Sequence, residues 1–399
     1  MKQTRWTALV LIAISQLFAL SLWFSASVII PELKLIWNLN GMTEAFISSS
    51  VPLGFIIGAL FSSYFGMADR YNARKIFAIA ALLGAIINSL ILVAETAFVG
   101  ISLRFLTGVT LAFVYPIAVK ILAQWFPKNR GLAIGILIAA LTLGSALPHF
   151  VVVFLTAVSW QFIIIVTSFL ALFASLIMYL FVTDAPTIVK PTVFSFHLLK
   201  KVIANRPVML ANYGYFGHMW ELYAMWTWLP AFLTASFLAY SPEATLWFSA
   251  LASFLTIGVA GAIGSVVGGY VADKIGRARL TIISLAGSSL CAILIGLTFG
   301  KMIWLTFGVA FIWGMFVIAD SAQFSAAVSE FANVDYVGTA LTFQMCIGFA
   351  ITIITIQALP FVQSIVGWEW VFAFLSIGPI LGLLSMVQLR RIEINSNLS

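Results

Sequence analysis

In the run GYFGHMWELYAMWTW, Gly214 to Trp228, a histidine and a glutamate stand three residues apart among apolar and aromatic side chains. On a helix that spacing puts His218 and Glu221 one turn apart on nearly the same face. An imidazole gains and loses a proton near neutral pH without help. A carboxylate that passes between dry and wet surroundings also binds and releases one. The pair reads as a proton-coupling site; the plainer alternative is a glutamate held by backbone or tryptophan N–H groups as a structural tie. H-x-x-E also offers two metal ligands, but a catalytic zinc takes three from the protein. The other histidine of an apolar segment, His149, belongs to a different one, so neither a metal nor a cofactor is expected.

The elements that must position these groups are membrane helices. Of the 399 residues 62% are hydrophobic and 8% charged, against about 25% charged in an ordinary soluble domain. A spanning helix needs about 20 predominantly apolar residues. Twelve such stretches are centred near residues 19, 54, 84, 110, 143, 172, 220, 258, 289, 314, 349 and 378. The first, Thr7 to Ile30, is too long for a signal-peptide core and reads as a retained span. Cys291 and Cys346 both fall inside spans, which makes them packing residues rather than a disulfide framework.

The formal charge of +7 does not point to nucleic acid, because sixteen of the twenty Lys and Arg fall in the segments on one side if the N-terminus is inside. Lys34 and Lys301 fall on the other side. This positive-inside pattern predicts an even number of spans with both termini cytoplasmic. The longest polar interruption, Thr183 to Pro207, separates six spans from six. Its VFSFHLLKKVI segment suggests a short amphipathic helix on the membrane surface.

The two halves resemble each other. MADRYNARK around Asp69 answers to VADKIGRAR around Asp273, and VSWQF around Trp160 to VGWEW around Trp368, at offsets of 204 and 208 residues. Six helices per unit implies parallel repeats of the kind found in transporters that rock two halves about a central site.

On these motifs the chain resembles the major facilitator superfamily over its whole length. GGYVADKIGRAR carries the family's loop signature at Gly269, Asp273, Lys274, Gly276, Arg277 and Arg279. The first copy, at Asp69 and Arg70, is degraded by Phe65, Asn72 and Ala73. RFLTGVTLAFVYP, Arg104 to Pro116, is similar to the family's R-x-x-x-G…P pattern in helix 4. The resemblance implies an all-α integral membrane protein, its twelve transmembrane helices forming two parallel six-helix bundles around a central cavity. The expected parts are residues 1–183, a cytoplasmic linker 184–207, and residues 208–399. In the family the signature loops latch the halves on the cytoplasmic side.

An ionisable side chain at the bilayer centre costs about 2.5–3.5 kcal/mol on insertion scales, so Arg104, Lys120, Glu221 and Asp320 call for a function. All four lie in spans 4, 7 and 10, which with span 1 line the cavity of the superfamily. Lys120 and Asp320 each lie about 8 Å before the inner end of their spans. They are expected either to meet as a gate or to be solvated separately. Arg104 suits an anionic substrate, since a guanidinium stays charged and grips carboxylates bidentately; holding helix 4 against its neighbours is the alternative. Gln16, Trp23, Trp220, Tyr223 and Gln323 complete the expected substrate-binding set, although the aromatics of span 7 also read as an interfacial belt.

The expected function is proton-coupled symport of a small organic solute, an anion, by alternating access. The expected partners are that solute, protons and membrane lipids, with no nucleic acid, and the protein is a monomer in a bacterial inner membrane. The alternatives are a proton antiporter exporting amphipathic compounds and, from another class, a membrane sensor. The exporters' Gly-Pro-rich signature is weakened here, because Pro148-His149 replaces Gly-Pro.

Overall fold

The computed structural model of the chain describes residues 3–126, 130–154, 159–184, 194–243, 246–333 and 335–396. Among them the structure is all-helical and divides into two compact units, Met1–Pro191 and Thr192–Ser399. The division falls inside the expected 184–207 linker.

The first unit contains α1 (Arg5–Leu20), α2 (Ile30–Trp37), α3 (Gly41–Tyr64), α4 (Met67–Arg70), α5 (Ala73–Ser89), α6 (Ala97–Leu111), α7 (Tyr115–Trp125), α8 (Arg130–Phe154) and α9 (Trp160–Leu180). The second contains α10 (Leu199–Ala204), α11 (Arg206–Tyr240), α12 (Leu246–Phe254), α13 (Gly261–Ile275), α14 (Arg277–Leu297), α15 (Ile303–Ala319), α16 (Ser321–Phe331), α17 (Val337–Val366) and α18 (Ile377–Ser396). A π-helical turn, Leu255–Ala260, joins α12 to α13.

Eleven of the described helical runs are long and apolar enough to cross a membrane. The expected first span is different: α1 has 16 residues, and Ser21–Ile29 then proceeds in turns before α2 begins. The backbone there closes i to i+3, as in Trp23 N to Leu20 O at 2.9 Å and Ser25 N to Leu22 O at 3.4 Å. Serine explains much of this. The hydroxyls of Ser21 and Ser25 donate to the carbonyls of Phe18 and Leu22, at 2.7 and 3.0 Å, and so compete with the helical ladder. Pro31 then lacks the N–H that would extend the ladder backward.

Two other expected spans are interrupted. The fourth breaks between α6 and α7, where Pro116 occupies the first turn of α7 and can donate nothing to α6. The tenth breaks at Asp320, the single residue between α15 and α16. By contrast α11, the seventh, is continuous over 35 residues, with Asn205 capping the N–H of Val208.

Each unit packs its own helices by the same device. On α3, a Cβ at Gly54 or Gly58 would strike the carbonyls of Phe105 or Val109 in α6. On α13, a Cβ at Gly264 or Gly268 would strike the carbonyls of Met315 or Ala319 in α15. The two pairs are offset by the same 210 residues (264 − 54 and 268 − 58), close to the 204 and 208 of the loop motifs. Small residues let helices approach closely where lipid supplies no hydrophobic drive between them. The repeat therefore extends from loop motifs to helix contacts.

Candidate functional site

Glu221 lies on α11 with 1% of its surface exposed. Its Oε1 accepts from Trp313 Nε1 of α15 at 2.7 Å, and its Oε2 accepts from the hydroxyl of Ser288 on α14. Both donors are neutral. The carboxylate thus sits among three helices of the second unit with no cation bonded to it among the described residues.

His218, one turn earlier, is equally buried and faces a different neighbour: its Nδ1 stands 3.0 Å from Oδ1 of Asp320. The break of the tenth span thereby brings an acidic residue against α11. The rings of Tyr215 and Phe324 lie 6.0 and 5.5 Å from the imidazole. His218 and Glu221 share a helix face, as expected, but reach separate partners, and Asp320 completes a three-residue titratable cluster.

Arg104 of α6 is 1% exposed and spends its guanidinium on the broken first span. Nη1 donates to Leu22 O at 2.9 Å and to Ser25 Oγ at 3.0 Å, and Nη2 to Trp23 O. Ser25 also donates to Asn88 Oδ1 at 2.7 Å, and Asn88 Nδ2 reaches Thr167 and Ser168 at 3.2 and 2.9 Å. Carbonyls left free where the helix unwinds are costly in an apolar setting unless a donor meets them. This geometry matches the helix-holding reading of Arg104 more closely than the carboxylate-gripping one.

The remaining expected binding residues are also engaged inside their units. Gln16 is fully buried and donates to Leu137 O on α8 at 3.1 Å. Trp23 packs edge-on against Phe55, 5.7 Å between centroids. Trp220 donates to Phe374 O at 3.3 Å and Trp228 to Ile356 O at 3.1 Å. Tyr223 packs between Trp226, which is 1% exposed, and Phe349. Span 7's tryptophans therefore tie α11 to its neighbours, where an exposed belt was also expected. Lys120 lies on α7, half-buried.

The loop motifs separate into well-tied and exposed residues. Gly276 begins α14 at φ +89°, a left-handed conformation that explains the glycine. Arg277 pairs with Glu330 of α16 at 2.7 Å and donates to Gln323 Oε1 at 3.2 Å, so Gln323 serves the loop. Gly269 is buried in α13, Asp273 is exposed, and Lys274 Nζ lies 4.2 Å over the Tyr270 ring. In the first copy Arg70 is exposed at the end of α4, and the side chain of Asp69 lies outside the described residues. Asn72 and Arg74 instead hold the end of α9, through Asp184 and the carbonyls of Tyr179 and Val182.

Sequence reasoning missed Ser288, Trp313, Glu330 and Asn88. A tryptophan in the middle of a span carries an N–H that needs an acceptor, Glu221 is one of two buried carboxylates among the described residues of the second unit, and Trp313 supplies the tryptophan N–H of the plainer alternative above.

The Major Facilitator Superfamily profile matches residues 12–355. A Cupriavidus necator protein named a probable sulfoacetate transporter is 25% identical over 56% of this chain and 56% of its own length. A Bacillus subtilis protein provisionally named a niacin/nicotinamide transporter is 25% identical over 76% of each chain. The gallate transporter of Pseudomonas putida is 24% identical over 67% of this chain and 66% of its own. The chain thus spans little more than half of the first of these relatives.

Proposed function

Because this chain belongs to the Major Facilitator Superfamily, we propose that it is a secondary transporter that carries a small organic anion across the membrane by alternating access, together with protons. The reading takes the two units as two six-helix bundles flanking a central pathway. The observation that carries it is the buried cluster of Glu221, His218 and Asp320, placed where α11 meets the break between α15 and α16. Among the described residues the carboxylate accepts from a serine and a tryptophan; these neutral donors favour its anion while burial favours the neutral acid, so the two pulls oppose each other.

Asp320 holds two roles in this reading. It stands 3.0 Å from His218, and it is the acidic member of the proposed gate with Lys120. Three relatives named for sulfoacetate, niacin/nicotinamide and gallate support a small organic acid as cargo. Purified protein in proteoliposomes is expected to accumulate at least one of sulfoacetate, nicotinate or gallate when an inward proton gradient is imposed, and to stop when the gradient is collapsed. Absence of gradient-dependent accumulation for all three would refute the assignment of an organic acid.

A further inference from the structure

Ahead of α11 the second unit carries a short strap. Phe196–Leu198 form one 3₁₀ turn, and α10, Leu199–Ala204, continues it. At one end the N–H of Ser195 donates at 3.0 Å to the hydroxyl of Thr339, the third residue of the apolar run Val337–Val366. At the other end Asn205 stands directly before the apolar run Arg206–Tyr240. Its Nδ2 donates to Phe331 O at 3.0 Å and to Tyr336 Oη at 2.8 Å. Both ends are thus fixed where membrane helices begin, so the strap runs along that boundary.

Its two sides differ. Phe194 and Val202 are buried against the unit. Phe196, which meets Phe194 edge-on at 4.8 Å, is 64% exposed, and Ile203 is 57% exposed. Lys200, Lys201 and Arg206 are exposed as well. Phe196, Lys200 and Ile203 recur at i, i+4 and i+7, a spacing that sets them along one side. Residues 192–209 hold no Asp or Glu, and Asp335 is the one acid in the turn 332–336 that the strap grips. Large apolar side chains among exposed cations suit the border between headgroups and acyl chains. There a lysine stem lies along apolar surface while its ammonium reaches a phosphate. A soluble acidic partner would use the cations but would gain nothing from Phe196 and Ile203 at the membrane boundary. Positive-inside bias assigns this basic side to the cytoplasm, and the cytoplasmic leaflet carries anionic lipids.

We propose that the strap, Phe196 to Arg206, binds an anionic phospholipid of the cytoplasmic leaflet, with Phe196 and Ile203 against its acyl chains and Lys200, Lys201 and Arg206 at its phosphodiester. The inference does not depend on the transport reading above. Because the strap is tied to Phe331, Tyr336 and Thr339, a lipid bound there also braces the junction of α16 and α17.

Photolabelling of the full-length protein in phosphatidylcholine nanodiscs tests this. Phosphatidylglycerol and phosphatidylcholine probes with the same diazirine high on one acyl chain are compared, and attachment is mapped by peptide with α12 as the reference. The phosphatidylglycerol probe is expected to label the strap about tenfold more than the phosphatidylcholine probe, each basic residue near the headgroups adding severalfold. Lys200→Gln with Lys201→Gln is expected to bring that ratio below about twofold and to leave labelling of α12 unchanged. Phe196→Ser with Ile203→Ser is expected to lower labelling of the strap by both probes. Soluble glycerol 3-phosphate is expected not to compete, and melting temperatures check that the variants fold. Equal labelling of the strap by the two probes overturns the proposal, as does a double-lysine variant that keeps the preference. Competition by glycerol 3-phosphate would assign the cations to a soluble anion and overturns it too.

Discussion

Arg104 and Glu221 show how one membrane tolerates two buried charges by different means. The two terminal nitrogens of Arg104 donate to carbonyls that the unwound first span exposes, and those carbonyls accept from Arg104. Each needs the other. Arg104→Gln is therefore expected to take its donor from the Trp23 carbonyl, at about 1–3 kcal/mol, and to lower the melting temperature measurably even with no substrate present. A variant that melts like the parent would show that Arg104 does not hold the first span. Glu221 is bonded by Trp313 and Ser288; Trp313→Phe removes the N–H together with the part of the indole that carries it. That substitution is expected to alter the pH dependence of transport more than the maximal rate, measured as uptake across a pH series. An unchanged pH profile would show that the indole N–H does not tune the carboxylate.

Helices of this chain are specified less by propensity than by where small residues allow contact. A Cβ at Gly58 would lie 2.7 Å from Val109 O, and one at Gly268 would press on Ala319 O, whereas one at Gly308 would meet nothing within 4 Å. Gly58→Leu and Gly268→Leu are expected to destabilise by about 1–3 kcal/mol through overpacking. Gly308→Ala is expected to be neutral or to stabilise by up to about 1 kcal/mol, since it removes a flexible residue from a helix interior. Thermal melts of the three in one detergent decide this; equal melts would show that the glycine contacts do not set the packing.

At this scale the sequence was legible where hydropathy alone decides. Nine of the spans predicted from apolar runs appear with little change, and two more appear with a break, the fourth between α6 and α7 and the tenth at Asp320. The first span holds a continuous helix only over α1, because a window of apolar residues does not register serines that turn their hydroxyls onto the backbone.

Taken as a whole, the chain repeats its plan: equivalent loops, and glycine pairs offset by 210 residues in contacts of the same kind. That plan was readable, because Asp, Gly and Arg in a short loop leave a strong pattern. The site was only half readable. The types of His218, Glu221 and Asp320 stood out as charges in apolar helices, but their partners did not. Ser288 and Trp313 are ordinary residues until the fold brings three helices together, and no spacing rule relates positions 221, 288 and 313. For the same reason Gln16, Trp220 and Gln323, polar or aromatic side chains on the expected cavity helices, turned out to be engaged with Leu137, Phe374 and Arg277.

The central claim is that a proton held by the buried cluster drives the solute, and Glu221→Gln tests it most directly. The variant keeps the size of the side chain while removing the titration; its amide oxygen can still accept from Trp313, and its NH2 group can donate to Ser288 Oγ with that bond reversed. In proteoliposomes it is expected to retain solute counterflow, which needs no net proton movement, within about a factor of a few of the parent, and to lose accumulation driven by an imposed pH gradient. Gradient-driven accumulation at the parent level in Glu221→Gln would contradict the account.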